Sequence, residues 1–235
     1  FPKNLGLAGQ TITYRIASPP ARREFQSGAG SPAAPYRAIA SASACQACHQ
    51  DLMFHGGRDR GFDTCIGCHG TAGAEDRPPY VAAGAPPTAG ATVSFRTMVH
   101  KIHMGSALAG AADYALVGSG GAAWPDNYSV RVFGSIEFPA QPGAARQCEK
   151  CHGQGNQAWR APPDRDHPTA QGRPVLAWTA TCGACHDGSA ATAHIEANVA
   201  PSGVESCAVC HGPGETADVL FDGERATGVK LQLAD

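Results

Sequence analysis

The sequence predicts a mostly irregular fold with short α-helices and few β-strands, organised around something other than a core of side chains. Ile, Leu, Val and Phe together make up 36 of the 235 residues, about 15%, whereas folded soluble domains usually exceed roughly 20%. Glycine and proline contribute 29 and 18 residues, which favours turns and short elements. The formal net charge is only −2, too small for a typical disordered chain. We therefore expect a bound group to supply the missing apolar bulk.

The composition argues against several classes of protein. No apolar run reaches the roughly 20 residues that a membrane-spanning helix requires, so no transmembrane segment is expected. The 18 basic and 20 acidic residues form no basic stripe, which argues against nucleic acid as a partner. The length fits one large domain or two small ones. A chain that begins at Phe1 is expected to be a processed protein or part of a longer one.

The cysteines belong to one repeated motif. Each of the ten lies in a Cys-x-x-Cys-His unit, and there are five such units. Two thiols at this spacing can add to the two vinyl groups on one edge of a porphyrin, and the histidine that follows can bind the iron. The sequence therefore predicts five covalently attached haem c groups. The predicted attachment cysteines and proximal histidines are Cys45, Cys48 and His49; Cys65, Cys68 and His69; Cys148, Cys151 and His152; Cys182, Cys185 and His186; and Cys207, Cys210 and His211.

Three other interpretations of the cysteine pairs are weaker. A zinc ribbon could use Cys45, Cys48, Cys65 and Cys68, but it leaves one of the five pairs without a partner and does not explain five histidines at one fixed offset. Disulfides between cysteines three residues apart would close loops too short to constrain the chain. Thioredoxin-like redox pairs require a βαβ context, which the sequence lacks.

Five further histidines are available as second axial ligands. Their number equals the number of predicted haems, which favours two imidazoles at every iron. His100 and His103 lie one turn apart on a predicted helix, so we expect them to reach two neighbouring haems. His55 is too close to His49 to serve the same iron without strain, so a neighbouring haem is expected. Methionine is the alternative axial ligand, but a flexible thioether more often packs against the porphyrin face. The predicted distal ligands are His55, His100, His103, His167 and His194.

The spacing of the motifs divides the chain into three regions. Residues 1–40 are expected to form a haem-free arm, residues 41–215 a pentahaem module, and residues 216–235 a tail. The first cysteines of successive motifs are separated by 20, 83, 34 and 25 residues. This irregular spacing is incompatible with a solenoid of equal repeats.

Local patterns predict several short elements within these regions. Alternating side chains indicate strands, while helical spacing or alanine content indicates helices. Proline and glycine indicate loops and linkers. In chain order the predictions are a strand at 9–16, a linker at 18–35, a loop at 71–90, a helix at 95–104, strands at 114–117 and 128–133, a helix at 190–197, and a strand at 229–233 that could pair with another strand or another chain.

Five haems in a chain of this size indicate electron transfer. A globule of 235 residues is roughly 45 Å across, so five macrocycles must lie close together and form the core themselves. The predicted fold class is therefore a multihaem cytochrome c whose core is the haem stack. The leading hypothesis is a conduit without substrate chemistry, and hence no enzyme. The alternatives are a subunit of a haem-lined filament, or nanowire, and a multihaem reductase with one open iron.

Three segments resemble a known family. They are His55-Gly-Gly-Arg58 after the first motif, the run from Met98 to Gly105, and residues 114–139. With the attachment motifs, they resemble the pentahaem modules of outer-membrane, metal-reducing decahaem cytochromes of the OmcA/MtrC type. These 235 residues are expected to form one such module rather than two, without full β-barrel domains.

The resemblance covers about residues 45–212. It implies low-spin haems with two histidine ligands each, on a shared staggered layout. It also implies an extracellular or cell-surface location at the outer membrane, with the periplasm as the alternative. Its expected partners are redox proteins or neighbouring cytochrome subunits, and extracellular acceptors such as metal oxides. The resemblance carries over to the five attachment motifs and to His55, His100 and His103, whereas His167 and His194 match by order and number only.

Overall fold

The structure is a computed structural model of the chain. It describes residues 18–19, 21, 28, 39–69, 81–88, 91–120, 126–138, 148–153, 165–166 and 174–218. The strands predicted at 9–16 and 229–233, most of the predicted linker, and the predicted ligand His167 lie outside these residues.

Short helices account for most of the regular structure. The first begins where the Ser41 side chain accepts a hydrogen bond from the backbone N–H of Ala44, at 3.2 Å, an N-cap that satisfies one of the free donors of the first turn. The helices predicted at 95–104 and 190–197 are confirmed as α3 and α6. The helices are α1 (Ala42–His49), α2 (Phe62–Cys68), α3 (Phe95–Met104), α4 (Glu149–His152), α5 (Ala177–Cys182), α6 (Ser189–Ala197) and α7 (Ala208–His211).

In the part of the chain that the structure describes, the strands form three separate antiparallel pairs. The largest joins β3 (Ala115–Ser119) to β4 (Tyr128–Val132), with Ala115 opposite Val132 and Ser119 opposite Tyr128. This pair confirms the two strands predicted in that part of the chain. The other two pairs are only two residues long and join β1 (Met53–Phe54) to β2 (Asp59–Arg60), and β5 (Arg165–Asp166) to β6 (Pro174–Val175).

The side-chain core is small. Its main cluster contains Leu108, Tyr114 and Leu116, and the partly buried Met98 and Met104 of α3 pack against it. These methionines therefore contact an apolar cluster of the polypeptide itself. No large side chain in the described ranges is less than 2% exposed, whereas domains of ordinary composition bury several. The mostly irregular fold with short helices and few strands is confirmed.

Helix α3 is held in place at both ends and on one side. The backbone N–H of Phe95 donates to the carbonyl of His69 at 2.6 Å, and the Thr97 hydroxyl donates to the carbonyl of Ala180 in α5 at 3.3 Å. The helix ends at Gly105, whose φ of 43° suits glycine. A Cβ at this position would collide with the backbone carbonyl of Ile136. These contacts fix the direction in which α3 presents its histidines.

None of the helices that the structure describes is both long enough and apolar enough to cross a bilayer.

Candidate functional site

Each attachment motif folds into about one turn of helix. In four motifs the backbone N–H of the histidine donates to the carbonyl of the first cysteine, four residues earlier; the acceptors are Cys65, Cys148, Cys182 and Cys207, at 2.8 to 2.9 Å. This turn puts the two cysteines on one face, because residues three apart are neighbours on a helix. The structure joins none of the ten cysteines in a disulfide, so it gives the disulfide interpretation no support. The motifs thus have the local geometry that double thioether attachment requires.

Among the described residues, four proximal histidines each have a second imidazole ring nearby. In each case the second ring belongs to one of the predicted distal histidines. The pairs, with ring-centre separations and interplanar angles, are His49 with His103 (6.0 Å, 82°), His69 with His55 (5.9 Å, 45°), His152 with His100 (6.2 Å, 26°) and His211 with His194 (6.2 Å, 85°).

These separations match the space that a haem iron needs. A first-row transition metal lies about 2 Å from an imidazole nitrogen, and the ring centre lies roughly 1 Å further out, so two rings on opposite sides of one metal have centres about 6 Å apart. Edge-to-face aromatic rings in direct contact can have centres at the same separation, so the distance agrees with a metal between the rings without requiring one. The residues present therefore fit haem with two histidine ligands at four of the motifs.

His100 and His103 face different proximal histidines although they lie one turn apart on α3. His100 faces His152 of the third motif, and His103 faces His49 of the first. Similarly, His55 lies opposite His69 of the second motif and not opposite the nearby His49. Both arrangements agree with the expectations from the sequence. The fifth predicted distal ligand, His167, lies outside the described residues, and the assignment of all ten ligands stays a prediction.

Hydrogen bonds at Nδ1 fix the tautomer of most of these rings. A carbonyl oxygen can only accept, so a ring nitrogen bonded to it carries the proton and leaves Nε2 free to bind a metal. Such bonds also orient the ring. The Nδ1 donors and their acceptor carbonyls are His69 to Val93 (2.8 Å), His100 to Arg96 (2.7 Å), His103 to Val99 (2.7 Å), His152 to Ile39 (3.1 Å) and His211 to Ala217 (2.9 Å).

Burial lowers the pKa of three of the paired histidines. It lowers the pKa of His100 to about 4, and the neighbouring His152 contributes in the same direction. Burial likewise lowers the pKa of His152, and the pKa of His49 is lowered by burial and by the adjacent His103. An imidazole must be unprotonated at the coordinating nitrogen to bind a metal. These rings are therefore ready to act as ligands at neutral pH.

The thiols show which motifs are neighbours in space. Burial is the main cause of the raised pKa of four thiols, those of Cys45, Cys151, Cys182 and Cys185. For each of them, a thiol of another motif raises the pKa further. Because this repulsion needs proximity, it indicates that the second motif is near the first, the first near the third, the third near the fourth, and the fourth near the fifth. The thiols in these relations are Cys45 with Cys65, Cys151 with Cys45 and Cys48, Cys185 with Cys148, and Cys182 with Cys207.

The zinc interpretation finds no support in the geometry. A ribbon site would bring Cys45, Cys48, Cys65 and Cys68 around one ion. Within the part of the chain that the structure describes, which includes all ten cysteines, no group of three or more His, Cys, Asp or Glu side chains is arranged to hold a metal ion. The imidazole pairs, which leave room for a porphyrin iron between two rings, fit haem better.

Sequence reasoning missed three carboxylates that organise these sites. Asp59 accepts a hydrogen bond from His55, at 2.6 Å. Asp187, directly after the fourth motif, accepts from the backbone N–H groups of Ala109 and Gly110, at 2.8 and 3.1 Å. Glu205 accepts from two backbone N–H groups at the start of α5, at 3.0 and 2.6 Å. Their closeness in sequence to a predicted ligand or attachment motif was the only available signal.

The comparisons with known proteins agree with this geometry. The sequence model of the family described as "Outer membrane cytochrome MtrC/MtrF-like, domains II/IV" matches residues 37–221, which is most of the chain. Neither a curated protein nor a solved structure matches it. The matched range contains all five attachment motifs and all five predicted distal histidines. The chain therefore belongs to the family of MtrC/MtrF-like outer membrane cytochromes, which are multihaem proteins of extracellular electron transfer.

Proposed function

We propose that this chain is an electron conduit that carries five haem c groups, each attached by two thioethers and ligated by two histidines. The observation that carries the proposal is the set of four opposed imidazole pairs, with ring centres 5.9 to 6.2 Å apart. Every pair joins a histidine of an attachment motif to one that lies outside all motifs. Because the chain has five motifs and ten histidines, we extend the same arrangement to a fifth iron.

The proposed ligand sets follow the pairs that the structure describes. Chance packing of ten histidines would not favour one proximal and one distal partner in every pair, so the pairs support ligation rather than random contact. The fifth set rests on the count of histidines alone. The proposed axial ligands are His49 and His103, His69 and His55, His152 and His100, His186 and His167, and His211 and His194.

The neighbour relations of the thiols support one continuous route. They order the motifs as second, first, third, fourth and fifth. Helix α3 supports the centre of this route, because it provides a ligand to the first motif and another to the third. Haem c supplies a one-electron Fe(III)/Fe(II) couple when bound. A fixed helix between two motifs would keep their separation constant, which electron transfer over short distances requires.

Two histidines at each iron argue against an enzyme. A reductase requires an axial position that substrate can enter, and in this proposal an imidazole fills both positions of every iron. The proposed terminal acceptor is outside the cell, for example a metal oxide, reached directly or through a redox partner or a neighbouring cytochrome. A filament of many copies is the alternative arrangement of the same conduit. In both cases residues 41–215 act as one pentahaem module, flanked by the arm and the tail.

Haem stoichiometry and spin state together test the proposal. The alkaline pyridine assay on purified holoprotein should give five haems per chain, and electron paramagnetic resonance should show only low-spin ferric iron. A stoichiometry clearly below five would contradict the cofactor count. A high-spin signal from about a fifth of the iron would instead indicate one open position, and turnover of nitrite, hydroxylamine or tetrathionate would then support the reductase alternative. Electron microscopy at high concentration distinguishes a monomer from a filament.

A further inference from the structure

One predicted ligand differs from the others in its hydrogen bond. Five rings donate from Nδ1 to a neutral backbone carbonyl, at 2.7 to 3.1 Å. The Nδ1 of His55 is instead bonded to a carboxylate oxygen, Oδ2 of Asp59, at 2.6 Å. Hydrogen bonds to an ionised acceptor are shorter and stronger than those to a neutral one. The ring of His55 is thus in a different electrostatic environment from that of every other described ligand with a bonded Nδ1.

A strained turn holds this pair together. Strands β1 and β2 align Phe54 with Asp59, and the turn between them contains three successive residues with positive φ: His55 at 51°, Gly56 at 73° and Gly57 at 83°. Glycine adopts such angles readily, but a residue with a side chain is uncommon there. Unusual backbone of this kind persists only where the surroundings enforce it, and it is frequent at functional sites. The turn directs the ring of His55 towards His69.

Arg58 binds the same carboxylate oxygen from the other side. Its Nε and Nη2 donate to the same oxygen of Asp59 at 3.3 and 3.2 Å. A single carboxylate oxygen therefore stands between a guanidinium and an imidazole, so the negative charge acts directly on the Nδ1 proton.

A carboxylate on Nδ1 changes what the opposite nitrogen offers to a metal. It draws the proton away from the ring, which makes the imidazole a stronger electron donor and favours the more highly charged oxidation state of the metal. We propose that Asp59 is a positioning residue that acts through His55 to lower the reduction potential of the iron at the second motif. This inference rests on the proposed function, in which His55 ligates that iron. The effect disfavours an electron resting on that iron.

The same hairpin contains a matched pair of control residues. Asp51 and Arg60 form an ion pair at 3.0 Å, close to His55 in sequence, but the Asp51 carboxylate is bonded to Arg60 and not to the ring. Asp51→Asn and Asp59→Asn each remove one negative charge from the hairpin. Only the second removes charge from the acceptor of Nδ1, while the amide oxygen of asparagine can still accept that hydrogen bond. Comparing the two variants separates the charge on the hydrogen-bond acceptor of Nδ1 from a general charge effect.

The test is a spectroelectrochemical titration of the holoproteins, with spin state measured in parallel. In Asp59→Asn, one of the five couples should move to higher potential. At a fixed potential, its ratio of reduced to oxidised iron should rise at least tenfold, which corresponds to about 59 mV for one electron. All irons should stay low-spin. Asp51→Asn should move no couple by more than about a third of that amount, because Asp51 is bonded to Arg60 and not to the ring, so its charge acts only through solvent that screens it. Equal shifts in the two variants, or no shift in either, would overturn the inference.

A second set of variants gives the opposite sign and does not depend on how Asp59→Asn folds. Arg58→Gln should strengthen the influence of Asp59 and move the same couple to lower potential, whereas Arg60→Gln should move it less. Equal shifts from the two arginine variants would also refute the role of Asp59. Separately, His55→Ala should turn about a fifth of the iron high-spin. If His55→Ala leaves all iron low-spin, the ligand assignment is wrong, whatever the titrations of the other variants show.

Discussion

Helix α3 makes a specific prediction about which iron each of its histidines binds. His100 and His103 are about 4.5 Å apart along the helix axis, yet their rings face His152 and His49, at centre distances of 6.2 and 6.0 Å. Each substitution by alanine should therefore remove a ligand from a different iron. We expect about a fifth of the total iron to become high-spin in each single variant, and about two fifths in the double variant.

The assay is quantitative electron paramagnetic resonance of the oxidised holoprotein, with Lys101→Gln as a control. Lys101 lies between the two histidines on α3 and pairs with Asp187 at 3.9 Å, so its loss should leave the spin state unchanged. The pairing itself is tested in a background that lacks the first haem, made by Cys45→Ala and Cys48→Ala. There His103→Ala should add no high-spin iron, whereas His100→Ala should still do so.

Two results would refute this reasoning. If His103→Ala increased the high-spin fraction in the background without the first haem, His103 would serve another iron, and the ring facing His49 would have no meaning for ligation. If the double variant lost only one low-spin iron, both histidines would act on a single site. The second result would also remove α3 as the element that links two neighbouring motifs.

Three further predictions concern stability, measured by guanidinium unfolding of the holoprotein. Glu205→Gln weakens two charge-assisted hydrogen bonds to the start of α5 and should lower the free energy of unfolding by about 1 to 2 kcal/mol. The control is Glu196→Gln at an exposed position of α6, which should change the free energy of unfolding by less than about 0.5 kcal/mol. Gly105→Ala adds a Cβ at positive φ that collides with the carbonyl of Ile136 and should cost more than about 1 kcal/mol. Tyr114→Phe should not lower stability at neutral pH, because within the described residues the buried hydroxyl has no hydrogen-bond partner.

Tyr114 also predicts a dependence on pH. Burial raises the pKa of Tyr114 to about 12, from 10.0. The folded protein thus favours the neutral phenol, so the wild type should lose stability as the pH rises from about 10 to 12, and Tyr114→Phe should lose less. Equal losses in both proteins would contradict the assignment. Likewise, equal effects of Glu205→Gln and Glu196→Gln, or a Gly105→Ala variant as stable as the wild type, would contradict the contacts described for those residues.

Much of the local structure could be predicted because it depends on neighbours in sequence. Alternation predicted the strands that pair as β3 and β4, and helical spacing predicted α3 with His100 and His103 on it. The contribution of Asp59 could not be predicted. Its hydrogen bond to His55 depends on left-handed backbone between β1 and β2, and no periodic pattern encodes such a turn.

The sequence by itself determined the chemistry of attachment. Two thiols and an imidazole within five residues need only one helical turn to reach one porphyrin, so the motif carries its own geometry. Tertiary structure alone decided which second ring faces each motif, for example His103 for His49 and His55 for His69. These partners lie in different elements, and their meeting depends on how α3 and the β1–β2 hairpin pack. Packing is a property of the whole chain, and the spacing of residues along the sequence does not specify it.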